Sequence, residues 1–288
     1  MALTLILGAS CLGVSPIFVR LSEVGPISTA FWRSAIAVPL ILVLINRLKF
    51  GSIFLSFDKK YFLLVMPGIF LGIDHAAWHH GIMLTSVANA TLFASMAPVF
   101  VVIYGWVLFS WIVSKRFIIS LVSVLTGSVC LLFNSLEISF NNFYGDLLSL
   151  FAGACYAVFL LITGLMRESK LSPYVILLYG TFYSALTLFI IFLFSSETLF
   201  PSSIKGWGIL ISLSVISQIF GIGLITWALG KVKTGLASLT LMSEPLSATL
   251  LAWILLGEYI GMMQFVGAFI ILMGIVFAQN NSELKKIN

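Results

Sequence analysis

SMAPVFVVIYGW (residues 95–106) returns as MSEPLSATLLAW (residues 242–253), so that Pro98 and Trp106 reappear as Pro245 and Trp253 at an offset of 147 residues. At the same offset Gly25-Pro26 is echoed by Ser172-Pro173, and Gly127 by Gly274. Gly72, Trp78 and Gly81 recur as Gly221, Trp227 and Gly230, with identical internal spacing and an offset of 149. Each copy is a run of apolar segments long enough to cross a bilayer. A doubled membrane bundle is the sequence signature of transporters, whose substrate sites lie where the two repeats meet.

Composition places the chain in lipid. Its 288 residues are 60% hydrophobic and 9% charged, with mean hydropathy +1.15; a water-soluble surface needs roughly 25% charged residues. The net charge of +5 comes from Lys and Arg scattered through short connections, which excludes a nucleic-acid patch and fits positively charged loops on one membrane side. Cys11, Cys130 and Cys155 lie inside apolar runs without a CxxC pairing and read as small hydrophobes in helix packing. The first apolar run lacks a basic leader and contains Gly8, Gly13 and Pro16, so it reads as a retained helix rather than a signal peptide.

Spans need about 20 apolar residues. Ten such segments are expected: Leu3–Leu21, Ile27–Ile45, Tyr61–Met83, Val87–Phe109, Phe117–Phe133, Tyr144–Leu165, Tyr174–Phe194, Trp207–Leu229, Thr234–Leu256 and Gly261–Gln279. With the N-terminus in the cytoplasm, the inner side receives Arg47, Lys49, Lys59, Lys60, Lys115, Arg116, Arg167, Lys170, Lys231, Lys233, Lys285 and Lys286, and the outer side only Arg20 and Lys205. This asymmetry fixes the orientation, with both termini cytoplasmic. Five spans per half is an odd number, so the second half enters the membrane upside down. The expected fold is an all-α membrane protein of ten transmembrane helices, two inverted five-helix repeats (residues 1–140 and 141–288) around a central cavity.

Ionisable groups inside a span cost several kcal/mol unless they face protein or water. They are Arg33 in the second segment, Asp74, His75, His79 and His80 in the third, and Glu244 in the ninth. Asp74 and Trp78, four apart, share one helical face, and His75 and His79 share the adjoining one. A carboxylate beside an indole suits a cationic ammonium group by charge pairing and cation–π attraction. Asp74, His79 and Glu244 equally suit proton coupling. The bland alternative is that Asp74 pairs with Arg33 or a histidine and only fixes packing. Trp227 mirrors Trp78 and is expected to line the same cavity. Glu244 precedes Pro245, whose missing N–H frees a carbonyl in mid-helix, as Pro98 does in the fourth segment. Ser15, Asn89 and Tyr156 are further candidate substrate contacts, with Ser10, Ser95, Gln218, Thr240 and Ser243 as polar positions that equally serve as interhelical glue. His75-x3-His79 has the spacing of two metal ligands but no third partner, and no metal or cofactor is expected.

Several of these motifs carry a resemblance. Gly13-Val14-Ser15-Pro16, the Gly-Pro ahead of the helix holding Arg33, Ser86-Val87-Ala88-Asn89-Ala90 leading to Ala97-Pro98-Val99-Phe100, and Glu244-Pro245 followed by 251–258 (LAWILLGE) resemble the drug/metabolite transporter superfamily in its ten-helix EamA-type branch. The resemblance implies an inner-membrane permease with both termini cytoplasmic and helices 1, 3, 4, 6, 8 and 9 lining the pathway. Relatives move amino acids, often aromatic ones, or quaternary amines, nucleotide precursors or phosphorylated metabolites. Gly257-Glu258 stands where the first half has Ser110-Trp111, a departure that implies a one-sided, structural role for Glu258.

The function expected is secondary transport of small metabolites by alternating access, most simply export of amino acids or related amphiphilic amines. No GxxxxGK[ST] loop is present to bind ATP. Substrate would rest at mid-membrane, its ammonium toward Asp74 or Glu244 and its apolar part against Trp78 and Trp227. Uptake of quaternary ammonium or polyamine cations is the alternative within transport, and an intramembrane lipid-modifying enzyme using His79 and Asp74 the alternative from another class. The partners expected are the small-molecule substrate and the bilayer, with the protein a monomer or weak homodimer.

Overall fold

The computed structural model describes residues 1–48, 63–136, 139–169, 171–256, 261–279 and 285–286. The structure is helical almost throughout, because a chain surrounded by hydrocarbon has no water to satisfy its backbone and must bond it internally. The helices are α1 (Ala2–Gly13), α2 (Ser15–Leu21), α3 (Pro26–Leu48), α4 (Val65–Leu84), α5 (Val87–Ala94), α6 (Ala97–Phe109), α7 (Lys115–Leu132), α8 (Phe143–Glu168), α9 (Pro173–Phe192) and α10 (Ile204–Leu213). A π-helical stretch, Ser214–Ile222, joins α10 to α11 (Gly223–Ala228); α12 (Thr234–Leu241), α13 (Glu244–Leu256) and α14 (Met262–Gln279) follow. Two short strands, β1 (Trp111–Ile112) and β2 (Lys285–Lys286), pair antiparallel.

Eight helical runs among the described residues are long and apolar enough to cross a membrane: Ala2–Leu21, Pro26–Arg47, Val87–Phe109, Lys115–Leu132, Phe140–Glu168, Pro173–Phe192, Ile204–Ala228 and Met262–Gln279. Helix α4 matches them in length, with 20 residues, but Asp74, His75, His79 and His80 lower its hydropathy, and most of it is sheathed by other helices. Helices α12 and α13 occupy the ninth expected segment. Lys49, Lys59, Lys60, Lys170, Gly257 and Glu258 lie outside the described residues, and with them the structural role expected of Glu258.

Packing follows small residues. Helix α7 lies along α14, and α4 along α8. An added Cβ at Gly127 would meet the Gly267 carbonyl at 2.9 Å, and one at Gly267 the Gly127 carbonyl at 2.6 Å. Glycine at these positions lets the α7 and α14 backbones approach closely, the device expected where lipid gives helices no hydrophobic reason to associate. Trp106 and Trp253, the tryptophans that mark the repeat, are 67% and 50% exposed on the outer surface, as is Phe269 at 65%. A surface so apolar matches lipid, not water.

Where the 22–25 and 193–203 connections meet, two glutamates cap helices of opposite halves. Glu197 accepts from the backbone N–H of Ile27 and Ser28 at the start of α3. Glu23 accepts from the N–H and hydroxyl groups of Ser202 and Ser203 ahead of α10. Each satisfies donors that a helix start leaves orphaned. Beside them Trp32 donates its indole N–H to the Leu199 carbonyl at 2.6 Å and packs against Phe200 and Trp207.

Helix α6 ends on Ser110 in the left-handed region, φ 51° and ψ 40°. That conformation favours glycine, and the residue 147 positions on is Gly257. Ser110→Gly should therefore raise stability by about 1 kcal/mol, read as an increased Tm in detergent; an unchanged or lowered Tm would mean Ser110 carries no strain. The bonds from Ser203 and Ser202 hold the Glu23 carboxyl below its ordinary pKa. Its capping contribution is thus present above the ordinary carboxylate range and lost as pH falls through the lowered value. Glu23→Gln should cost ~2 °C of Tm at pH 7 and progressively less as pH falls through that lowered value; a pH-independent difference would contradict the cap.

Candidate functional site

Four departures from regular helix adjoin one cavity. Helices α1 and α2 break at Val14, just before Ser15-Pro16; α5 and α6 break at Ser95-Met96, ahead of Pro98; α12 and α13 break at Met242-Ser243, ahead of Pro245; the fourth is the π stretch. Proline cannot donate to the preceding turn, so each Pro-associated break frees carbonyl groups. Irregular backbone is tolerated at membrane depth only where protein or a wet cavity satisfies it. These breaks meet such a cavity, about 60 Å³ and thus room for about four waters.

The cavity is lined by Leu12, Ser15, Arg33, Asp74, His75, Trp78, Tyr156, Leu160 and Ile222, and by two matched sets from the broken helices. Thr91, Ala94, Ser95 and Ala97 face Ser238, Leu241, Met242 and Glu244. Every member of the first set lies 147 residues before its counterpart. Glycines hold both breaks at close range across the halves. A Cβ at Gly153 of α8 would meet the Ala94 carbonyl at 2.7 Å, and one at Gly13 of α1 the Glu244 carbonyl at 3.0 Å.

Arg33, Asp74 and Glu244 meet here beside His75. Arg33 is 2% exposed and donates Nε to Gln218 Oε1 at 3.2 Å; Gln218 in turn donates to Thr181 Oγ1 at 3.2 Å. No ion pair within 4.0 Å joins Arg33 to Asp74 or Glu244 among the described residues. Among the described residues Asp74 has only His75 Nε2, at 3.9 Å. Neither carboxylate accepts a hydrogen bond from a described residue. Ser15 Oγ donates to Ser217 Oγ at 2.8 Å, and Ser217 to the Cys11 carbonyl, tying α2 to the π stretch. The Tyr156 hydroxyl, Trp78 Nε1 and Ser243 Oγ are buried without a partner among the described residues.

Of the residues expected from sequence, the structure brings together Ser15, Asp74, Trp78, Tyr156 and Glu244. Three are placed elsewhere. Trp227 belongs to the apolar core, with Lys231 Nζ 4.3 Å over its ring. A π turn holds more residues than an α turn, so the nine residues of Ser214–Ile222 rotate the following helix and turn Trp227 away from the face its mirror Trp78 occupies. The change of offset from 147 to 149 falls between Pro173 and Gly221. Asn89 donates to Asp146 Oδ1 at 3.0 Å and accepts from Ser86 Oγ, completing a cap beside Thr85 rather than lining the cavity. His79 stands behind Trp78, ring centroids 5.5 Å apart, with Nδ1 3.3 Å from the Pro26 carbonyl. Helix α3, the second expected span and so absent from the expected lining, contributes Arg33. Thr91 and Ser238 escaped the sequence reading, although the repeat offset links them.

The sequence pattern of the EamA-like transporter family matches residues 1–133 and 143–279. The chain is 27% identical over 210 residues to an uncharacterized transporter of Archaeoglobus fulgidus, covering 73% of each. A solved crystal structure superposes with a TM-score of 0.76 at 18% identity, over 97% of this chain and 95% of that one, which establishes a shared fold.

If the breaks are held by close helix contact, Gly153→Ala should cost about 1–3 kcal/mol by overpacking against the Ala94 carbonyl. Thermal unfolding in detergent reads this; an unperturbed Tm would mean that α8 and α5 separate freely there.

Proposed function

We propose that this chain, which belongs to the EamA-like transporter family, is an exporter of amino acids or related amphiphilic amines working by alternating access. It is a multi-pass membrane transporter, not an enzyme. The observation that carries the finer reading is the cavity at the helix breaks, where Asp74, Glu244 and Trp78 offer an ammonium group two carboxylates and an aromatic face.

The proposed architecture is ten spans in two inverted repeats, residues 1–140 and 141–288, in an inner membrane with both termini cytoplasmic. It is supported by the family pattern matching on either side of residues 134–142, by the matched cavity lining, and by the pairing of helices. Helix α4 packs on α8 as the π stretch packs on α1, and α5 and α6 meet α8 as α12 and α13 meet α1. In this reading the contact of Glu23 and Glu197 with opposite halves closes the outer end, and substrate enters when the halves rock about the cavity. Proton coupling is assigned to Asp74 or Glu244, with His79 as a relay behind Trp78.

The test is flux of labelled amino acids in proteoliposomes across a pH gradient. Asp74→Asn should abolish the pH dependence and reduce transport at least ten-fold. Undiminished, pH-dependent flux in that variant would remove Asp74 from the mechanism.

A further inference from the structure

We infer that Arg33 is a carboxylate clamp, so that the cargo class of this site is the zwitterionic α-amino acid rather than the simple amine. The inference rests on the permease reading above and narrows its substrate.

Arg33 is among the largest fully buried side chains of the protein. A guanidinium placed in a membrane core without a direct acidic partner costs several kcal/mol. Were it there only to fix packing, it would sit bidentate on Asp74 or Glu244. Instead, among the described residues, only Nε is engaged, by the neutral amide of Gln218, itself held by Thr181. Neither Nη nitrogen donates to an acceptor among the described residues, and the side chain lines the cavity. Gln218 thus fixes the plane of the fork while leaving its Nη donors for an incoming group. Planar, paired donors match a carboxylate.

Across the same cavity Asp74 and Glu244 accept no hydrogen bond from described residues. An α-amino acid carries the complementary charges a few bonds apart: its carboxylate meets Arg33 and its ammonium one of the two acids. The second acid then remains to carry a proton. A quaternary ammonium or polyamine cation would leave Arg33 unpaired and repelling it, which weighs against that class of cargo.

The experiment measures Tm shifts and proteoliposome flux for the twenty proteinogenic amino acids and for the amines that lack only their carboxylate, such as L-phenylalanine against phenethylamine. The wild-type protein should prefer at least one amino acid over its amine by ten-fold or more. Arg33→Gln should reduce that preference to within two-fold, and Arg33→Lys, keeping the charge but losing the fork, should restore it only in part. Equal handling of acid and amine, or amine-only transport, by the wild type would overturn the clamp while leaving the permease reading intact. Failure of the entire panel would overturn both. The wild-type ratio decides the matter even if Arg33→Gln does not fold.

Discussion

In a bilayer core no water is available to take up a backbone group that loses its helical partner. This constraint governs where the chain is irregular. Among the described residues, the breaks at Val14, Ser95-Met96 and Met242-Ser243 and the π stretch at Ser214–Ile222 all border one cavity, and the Ala94 carbonyl that Pro98 frees sits against Gly153. The prolines that make the breaks would be destructive in a lipid-facing helix. Here they create an environment polar enough to hold Arg33, Asp74 and Glu244, because irregular backbone and buried charge need the same wet, protein-lined space.

The charge arrangement has a mechanical consequence. Two carboxylates and one guanidinium without direct pairing form a site whose electrostatics are incomplete, so a ligand with complementary charges stabilises whichever helix arrangement encloses it. The elements around the site are pieces rather than rods: α1 with α2, α5 with α6, α12 with α13. In the proposed alternating access, short segments joined at breaks would reorient by small dihedral changes at the junctions, while α7 packs along α14. The cross-half caps of Glu23 and Glu197 and the ring cluster of Trp32, Phe200 and Trp207 hold one end of the bundle together.

Much of this was legible in the sequence because lipid leaves so few polar residues to choose from. Asp74, Trp78 and Glu244 stood out as expensive or aromatic side chains in apolar runs, and the structure brings them together with Ser15 and Tyr156. The misplacements have specific causes. Trp227 followed from mirror symmetry, which a π stretch disrupts by changing helical phase, a feature without a signature in residue type. Asn89 looked like a ligand contact but is used by a local cap with Ser86 and Asp146, whose position depends on how α5 meets α8. Thr91 and Ser238 were visible only as a pair: each alone is an ordinary small polar residue, while together, 147 residues apart, they mark equivalent positions.

The central claim is that equivalent residues of the two halves look into one cavity which opens to each side in turn. It is tested most directly by placing single cysteines at Thr91 and Ser238, in a protein with Cys11, Cys130 and Cys155 replaced, and measuring labelling by a membrane-impermeant thiol reagent applied to either face of oriented vesicles. The account predicts that both positions react from both faces, and that a transported substrate slows both together. Reaction from one face only, or at one position and never at the other, would contradict it.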